Sequence, residues 1–252
     1  MMDFTIKTLT GLYKNLVKNN YEVTTLYSFL KRPGPGKICV LRHDVDRQIN
    51  TALKLAELES KMNIKASYYF RYPATFREDV IRRIHKLGHE TGYHYEVLAK
   101  TNGNYKKAFE LFKKELTEFR KIVSICTISA HGSPFSKWDN KKIWETYKFT
   151  DLGITGEAYL SVNFNEVFYL TDTGRAWNRS EANIRDKVDT KFNLKFRNTK
   201  DVIAALDGGE MPDNIILNVH PNRWKDNFSG WCAELAMQNF KNIGKRFLHP
   251  GK

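Results

Sequence analysis

Between Ile38 and Asp46 the chain passes from an apolar run, Ile38-Cys39-Val40-Leu41, to an ionisable one, Arg42-His43-Asp44-Val45-Asp46. The first half has the continuous apolar, β-prone character of a strand covered on both faces, which implies a parallel sheet flanked by helices. The second half delivers its charges to the carboxyl end of that strand, where parallel sheets and barrels bind their ligands. Side chains alternate along a strand, so Asp44 and Asp46 point the same way. Neighbouring carboxylates repel each other, and a cation between them or a shared proton relieves this. A lone Asp-X-Asp is better explained as a solvated strand end with a helix N-cap; the residues downstream change that balance.

Apolar spacing sets out the rest. Residues 4–30 read as two short helices: Leu9, Leu12, Tyr13, Leu16 and Val17 follow helical spacing, Asn19-Asn20 interrupts, and Val23, Leu26, Tyr27 and Leu30 resume it. Pro33-Gly34-Pro35-Gly36 then leads into the first barrel strand. Helices are expected at 50–62, with Ala52, Leu55, Ala56 and Leu58 as the apolar face, at 77–87, 105–123, 199–206 and 230–246. Strands are expected at 64–70, from His89 into Glu96, at 125–130, 167–170 and 214–219. Strands alternating with helices argue for parallel β/α units. Residues 135–197 show few clear helices and read as insertions and loops over the site. At 252 residues and 41% hydrophobic content the expectation is a single α/β domain spanning 1–252, a (β/α) barrel with the helices of 1–36 packed outside it.

Cys39, Cys126 and Cys232 are widely spaced and read as free thiols of a reducing compartment, not a disulfide frame or a zinc cluster. With neither a secretion signal nor a long apolar run, a cytoplasmic protein without a transmembrane segment is expected. The formal net charge of +13 raises three partners: nucleic acid, an anionic membrane surface, or a phosphate-bearing substrate. The lysines are scattered, as in Lys106-Lys107 and Lys113-Lys114, so a basic solvated surface is the better account and no nucleic-acid partner is expected.

Polar clusters fall where several expected strands end: Asp44/Asp46, His94/Glu96, His131, Asp172/Arg175 and His220. A barrel gathers such ends, and packing alone explains them poorly because apolar residues are cheaper to bury. A metal of the hard-to-borderline kind wants Asp oxygen and His nitrogen with one position open for water; Asp46 and His94 are the natural pair. Asp44 is then free to act as base on a metal-activated water, and His220 to protonate a leaving amine. Backbone N–H groups in Gly132-Ser133-Pro134-Phe135 can stabilise an oxyanion. The set suits hydrolysis of an amide or of an ester.

In order along the chain, Leu41-Arg42-His43-Asp44-Val45-Asp46, Gly88-His89-Glu90-Thr91-Gly92-Tyr93-His94, His131-Gly132-Ser133-Pro134 and Leu217-Asn218-Val219-His220 resemble the motifs of polysaccharide deacetylases, the NodB-homology, carbohydrate esterase family 4 group. The resemblance covers residues 38 to 225 and implies a deformed barrel, usually of seven strands. It also implies a divalent metal, zinc foremost, and removal of N-acetyl or related acyl groups from sugars. It marks Asp44 as general base, Asp46 and His94 as metal ligands, His220 as general acid and Pro134 with its neighbours as the oxyanion loop.

The chain departs from that pattern. Val45 separates aspartates that are usually adjacent, and Leu98 stands where a second metal histidine is usual. A third ligand must come from elsewhere, such as Glu96 or His131, or the metal is absent; His131 is set with Asp46 and His94 as the metal group, and Glu96 among the substrate contacts. The family's arginine before the loop proline is not evident, and its role falls to Arg42 or Arg175. Arg175, Trp177, Arg223 and Asp172 complete the candidate substrate-binding residues; Trp138, Trp177 and Trp224 serve equally as sugar platforms or as core.

The expected activity is hydrolysis of an N-acyl, foremost N-acetyl, group on an amino sugar or glycan precursor, nucleotide-linked, lipid-linked or small. A rival keeps the fold without turnover, as a deacetylase-like protein that binds glycan; Leu98 motivates it. A glycosyltransferase using Asp44-Val45-Asp46 ranks lower, since only residues 1–43 precede the motif and they read as largely helical. A nucleic-acid binder, prompted by the charge, ranks low because the lysines are scattered.

Overall fold

A computed structural model describes residues 2–32, 34–177 and 186–248. The strand that constrains the sequence is β2, Lys37–Val45. Its upstream edge is organised differently from expectation. Helix α1, Ile6–Lys18, starts on a Thr5 capping box and ends at Asn19, as the spacing implies. Instead of resuming a helix, Tyr21–Thr24 forms strand β1, parallel to Lys37–Val40 of β2. Tyr21, Val23 and Thr24 are of β-prone type, and an unpaired edge of β2 is on offer beside them. A Thr25 cap then starts α2, Leu26–Lys31. Pro33, in the expected breaker, lies outside the described residues.

The β/α alternation follows: α3 Ile49–Lys61, β3 Ser67–Phe70, α4 Glu78–Lys86, β4 Glu90–Tyr95, a short α5 Val97–Lys100, α6 Tyr105–Arg120 and β5 Thr127–Ala130. Among the described residues the irregular region holds two 3-10 turns, Asn140–Glu145 and Phe149–Leu152, and strands β6 Gly156–Glu157 and β7 Phe168–Thr171. Helix α7 Thr199–Asp207, β8 Asn214–Val219, a 3-10 turn Pro221–Arg223 and α8 Phe228–Leu248 complete the chain.

All strand pairs are parallel, in the order β6-β5-β4-β3-β2-β8-β7. β1 lies beside the first half of β2 on the edge that β3 takes beside the second half. Among the described residues no pairing joins β6 to β7, so this is a deformed, open barrel of seven strands with β1 added.

Alternation splits each strand between two apolar clusters. Ile38 and Val40 join Tyr69, Tyr169 and Ile216 inside the barrel, while Cys39, Leu41 and Val45 join Tyr68, Phe70 and Leu217 under the helices. Following the inner face along β2 gives Ile38, Val40, Arg42, Asp44: the lumen turns from apolar to ionic toward the strand ends. Gly92 serves this interior. A Cβ there would come within 2.4 Å of the Tyr69 ring and 2.8 Å of the Thr127 carbonyl, so glycine lets the Tyr69 hydroxyl reach Thr127 Oγ1 at 2.7 Å.

The apolar face of α3 is Ala52, Leu55 and Ala56, with Glu59 buried in place of the expected Leu58. Among the described residues no helix is long and apolar enough to cross a membrane.

Candidate functional site

The ends of β2, β4, β5 and β8 open onto one cleft of about 620 Å³, lined among others by Asp44, Asp46, His94, Glu96, His131, Pro134 and His220. Residues as distant as 44 and 220 meet there because a parallel sheet presents all its carboxyl ends on one side.

Asp46, His94 and His131 each offer a ligand atom, all within 4.8 Å of one another. Asp46 Oδ1 stands 3.4 Å from His94 Nε2 and 3.5 Å from His131 Nε2. It is buried with no hydrogen-bond partner, an arrangement that is costly unless something else sits between the three groups. Ligand atoms about 2.1 Å from a tetrahedral ion stand about 3.4 Å apart, which matches both separations. The outer nitrogens are occupied: His94 Nδ1 lies 3.0 Å from the Ser129 carbonyl, and His131 Nδ1 lies 2.8 Å from Glu96 Oε2 and 3.1 Å from Ser133 Oγ. Nδ1–H donation fixes both rings with Nε2 as the free lone pair, the form a metal ligand requires. Burial disfavours a proton on both histidines. For His94, Asp44 and Asp46 outweigh it and raise the pKa; for His131 burial prevails and lowers it. The residues present therefore fit a divalent cation.

His131 is placed beside Asp46 and His94, where it offers a ligand atom that position 98 does not. Leu98 is fully buried in the core under α5. Ser129 is in register with His94, and His131 lies two residues further on, hence on the same face. Glu96, the other candidate third ligand, instead orients His131 and is gripped by Arg71 Nη2 at 2.9 and 2.8 Å.

Asp44 is held from its own strand. Arg42, two residues back on the same face, donates from Nε to Oδ1 at 2.9 Å and from Nη2 to Oδ2 at 2.6 Å. Both side chains are buried. Burial works against the charge on Asp44, but the Arg42 guanidinium and His94 outweigh it and keep the carboxyl well below the usual carboxylate range. Of the two arginines expected near the base, Arg42 is the one that meets it. Arg175 lies outside the cleft lining, its guanidinium over the rings of Phe4 and Trp231.

His220 Nδ1 lies 2.7 Å from Asp172 Oδ1. The other Asp172 oxygen accepts the His220 backbone N–H at 3.0 Å and Trp224 Nε1–H at 2.7 Å, and Arg223 Nη1 donates to Oδ1 at 2.6 Å. Burial works against this carboxylate too, but Arg223 and His220 outweigh it and lower its pKa. With Nδ1 directed at Asp172, Nε2 is the His220 atom left for a substrate.

Several expected substrate contacts are corrected by their positions. Asp172 is fully buried behind His220, where its charge is matched by Arg223. Trp177 is fully buried against Phe4 and Trp224, its Nε1–H on Thr199 Oγ1 at 3.0 Å; its apolar bulk fills core. Trp224 is buried with it, and Trp138 is half-buried, packed over Gly103. An exposed aromatic does line the cleft: Phe135, 65% exposed. Arg223 and Glu96 do line the cleft. So does Pro134, which has no N–H; any donors of that loop are its neighbours, in a turn where Ser133 has φ +40°.

Sequence reasoning assigned nothing to Tyr159, Asp186, Arg47, Arg71 and Thr173, which also line the cleft. The alternation that pairs Asp44 with Asp46 equally pairs Arg42 with Asp44; Tyr159 and Asp186 come from the region without a readable period. The lining carries Asp44, Asp46, Glu96 and Asp186 against Arg47, Arg71 and Arg223, so the basic excess of the chain lies elsewhere.

No family model and no curated protein matches the chain. Among solved structures it is similar to a Streptococcus mutans family 4 carbohydrate esterase, at 12% identity over 88% of both chains with a TM-score of 0.47. It is similar to the catalytic domain of a peptidoglycan N-acetylglucosamine deacetylase from Eubacterium rectale, at 16% identity over 84% of this chain and 87% of that one, TM-score 0.47. A family 4 carbohydrate esterase pseudoenzyme from Bacillus anthracis matches at 13% identity over 84% of this chain and 62% of that one, TM-score 0.45. At such identities and TM-scores the likeness carries no chemistry to this chain; that rests on its own residues.

Proposed function

We propose that this protein is a hydrolase that removes an N-acyl, foremost N-acetyl, group from an amino sugar or glycan precursor. The observation that carries the reading is the cleft itself: three candidate ligands around the unpartnered Asp46 Oδ1, with an Arg42-paired Asp44 and an Asp172-bound His220 on the same lining. The motif resemblance between residues 38 and 225 supports a sugar as the acyl carrier.

Asp46, His94 and His131 would hold a divalent cation, with zinc suited to two imidazoles and a carboxylate. Such an ion supplies Lewis-acid polarisation of the acyl carbonyl and makes water acidic enough to attack near neutral pH. Asp44 takes one proton of the attacking water; held low by Arg42, it gives that proton up to solvent, from which His220 regains the proton it donates. N–H groups beside Pro134 are the donors this loop could offer to the developing oxyanion. His220 protonates the leaving nitrogen as the C–N bond breaks, releasing carboxylate and amine, while Asp172 keeps its ring turned to the cleft.

The near balance of charge in the lining favours a neutral group at the reacting centre, so a nucleotide or lipid carrier would place its phosphate beyond it. A cytoplasmic site of action remains part of the proposal and is supported by three unpaired cysteines. His131, set beside Asp46 and His94, offers a candidate third ligand where Leu98 cannot, and this favours the hydrolase over the rival without turnover.

The test is metal analysis of purified protein together with acetate release from a panel of N-acetylated amino sugars, free and nucleotide- or lipid-linked, with Asp44→Asn as control. Bound metal and acetate release that is lost in Asp44→Asn are expected. Metal-free protein that reconstitutes with no ion and releases no acetate would return the inactive glycan binder to first place.

A further inference from the structure

The sheet is open between β6 and β7, yet side chains cross that gap in a closed circuit of hydrogen bonds. Arg42, which grips Asp44, also donates from Nη2 to the Tyr159 hydroxyl at 2.7 Å. That hydroxyl donates to Asp186 Oδ1 at 2.9 Å. On the other side, Asn218 Nδ2 lies 3.3 Å from Asp44 Oδ2 and 3.0 Å from the Tyr169 hydroxyl. The Tyr169 hydroxyl donates to the same Asp186 oxygen. Donor and acceptor roles are consistent around the ring: guanidinium and amide donate, the phenols relay, the two carboxylates accept.

The circuit spans the seam. Tyr159 follows β6 by two residues and Tyr169 lies within β7, with ring centroids 6.1 Å apart. Asp186 is completed by Thr173 and by Thr171 Oγ1 at 2.7 Å, so four hydroxyls converge on one carboxylate. Burial works against its charge, and His220, Arg42 and the hydroxyl donors outweigh it and keep the carboxyl below its ordinary value. An apolar pair would close a seam without desolvating a charge, so a buried carboxylate here calls for a reason beyond filling space. At the other end of the circuit both branches terminate on Asp44.

We propose that Asp186, Tyr159 and Tyr169 form a clasp across the open side of the barrel and, through Arg42 and Asn218, act as positioning residues for Asp44. The proposal rests on the reading of Asp44 as the base. Tyr159 keeps its ring over the Arg42 guanidinium, at 4.4 Å, when only the hydroxyl is removed, so Tyr159→Phe tests the relay without opening a cavity.

The experiment compares zinc-loaded full chain with Tyr159→Phe, Asp186→Asn and the double variant, and measures kcat, KM, zinc affinity and amide hydrogen exchange over 156–159 and 168–171. Expected are a kcat reduced about tenfold to a hundredfold at unchanged KM and zinc affinity, and a double variant no worse than the worse single one. Faster exchange on both sides of the seam is also expected. Unchanged kcat in both single variants, or a loss of kcat that tracks an equal loss of zinc affinity, overturns the proposal. If the wild type cleaves no acyl sugar, the functional reading falls by itself and exchange decides the clasp. Acceleration of both segments in Tyr159→Phe then supports it, and acceleration of neither or of one alone overturns it.

Discussion

His131 and Asp46 extend from strands that are not neighbours in the sheet, yet Nε2 of one and Oδ1 of the other stand 3.5 Å apart, with His94 completing the triangle. Removing one corner leaves two ligands, too few to hold a zinc ion against water. His131→Ala is therefore expected to weaken zinc or cobalt binding by more than about 100-fold, beyond the 10–100-fold typical of losing an outer partner. Calorimetric titration of the metal-stripped chain checks this; equal affinity in wild type and variant would remove His131 from the site.

Glu96 is expected to differ from the candidate ligands in the size of its effect. It touches His131 Nδ1 at 2.8 Å and Arg71, not the space beside Asp46 Oδ1. Glu96→Gln keeps an acceptor for His131 and loses the charge facing Arg71, so metal affinity should fall about 10–100-fold, less than in His131→Ala. A larger loss in Glu96→Gln than in His131→Ala would exchange their roles.

Asp44 and His220 should affect turnover without emptying the site. Asp44→Asn and His220→Ala are each expected to lower kcat about 10²–10⁴-fold while the protein still binds metal. Asp172→Asn leaves the ring of His220 in place but disturbs its tautomer, so it should lose rate while KM stays close to wild type. Steady-state kinetics on metal-saturated protein read all three, and an Asp172→Asn variant as fast as wild type would deprive the pair of its function.

What could be read from sequence depended on whether a residue sat on a periodic element. Asp44, Asp46 and His220 lie at the ends of strands with strong apolar runs, and parallel strands leave few places for such ends to go; His94 sits in Glu90–Tyr95, which has no such run, and was marked by its motif. Arg42 and His131 were reachable by the same alternation, because each stands two residues along a face from a partner in the site. Tyr159 and Asp186 were not: β6 is two residues long, and no period marks the chain around it. Tyr21–Thr24 is too short to separate strand from helix by spacing, and pairing with β2 decided it. Trp177 was ambiguous in kind, since an indole suits a sugar platform and a core equally; Phe4 and Trp224 claim it for the core.

Glu59 provides a prediction behind the cleft. The outer face of β2 turns His43 toward α3, where Glu59, fully buried, meets His43 Nε2 at 2.8 Å, the Tyr68 hydroxyl at 2.7 Å and the Tyr13 hydroxyl at 2.9 Å, with His89 Nδ1 at 4.0 Å. Burial alone would raise its pKa, but His43, His89 and the Tyr68 hydroxyl outweigh burial and lower it. A carboxyl with a lower pKa folded than unfolded contributes stability that is present above its unfolded value, about 4.3, and is lost as pH falls through the folded value. Breaking such a buried pair costs about 3–5 kcal/mol, so Glu59→Gln should lower Tm by about 10 °C at neutral pH. The gap between wild type and variant should then shrink as the medium is taken below about pH 4.3. Thermal melts followed by circular dichroism across that range measure it. A gap that stays the same size at every pH would mean that Glu59 acts through its shape and not its charge.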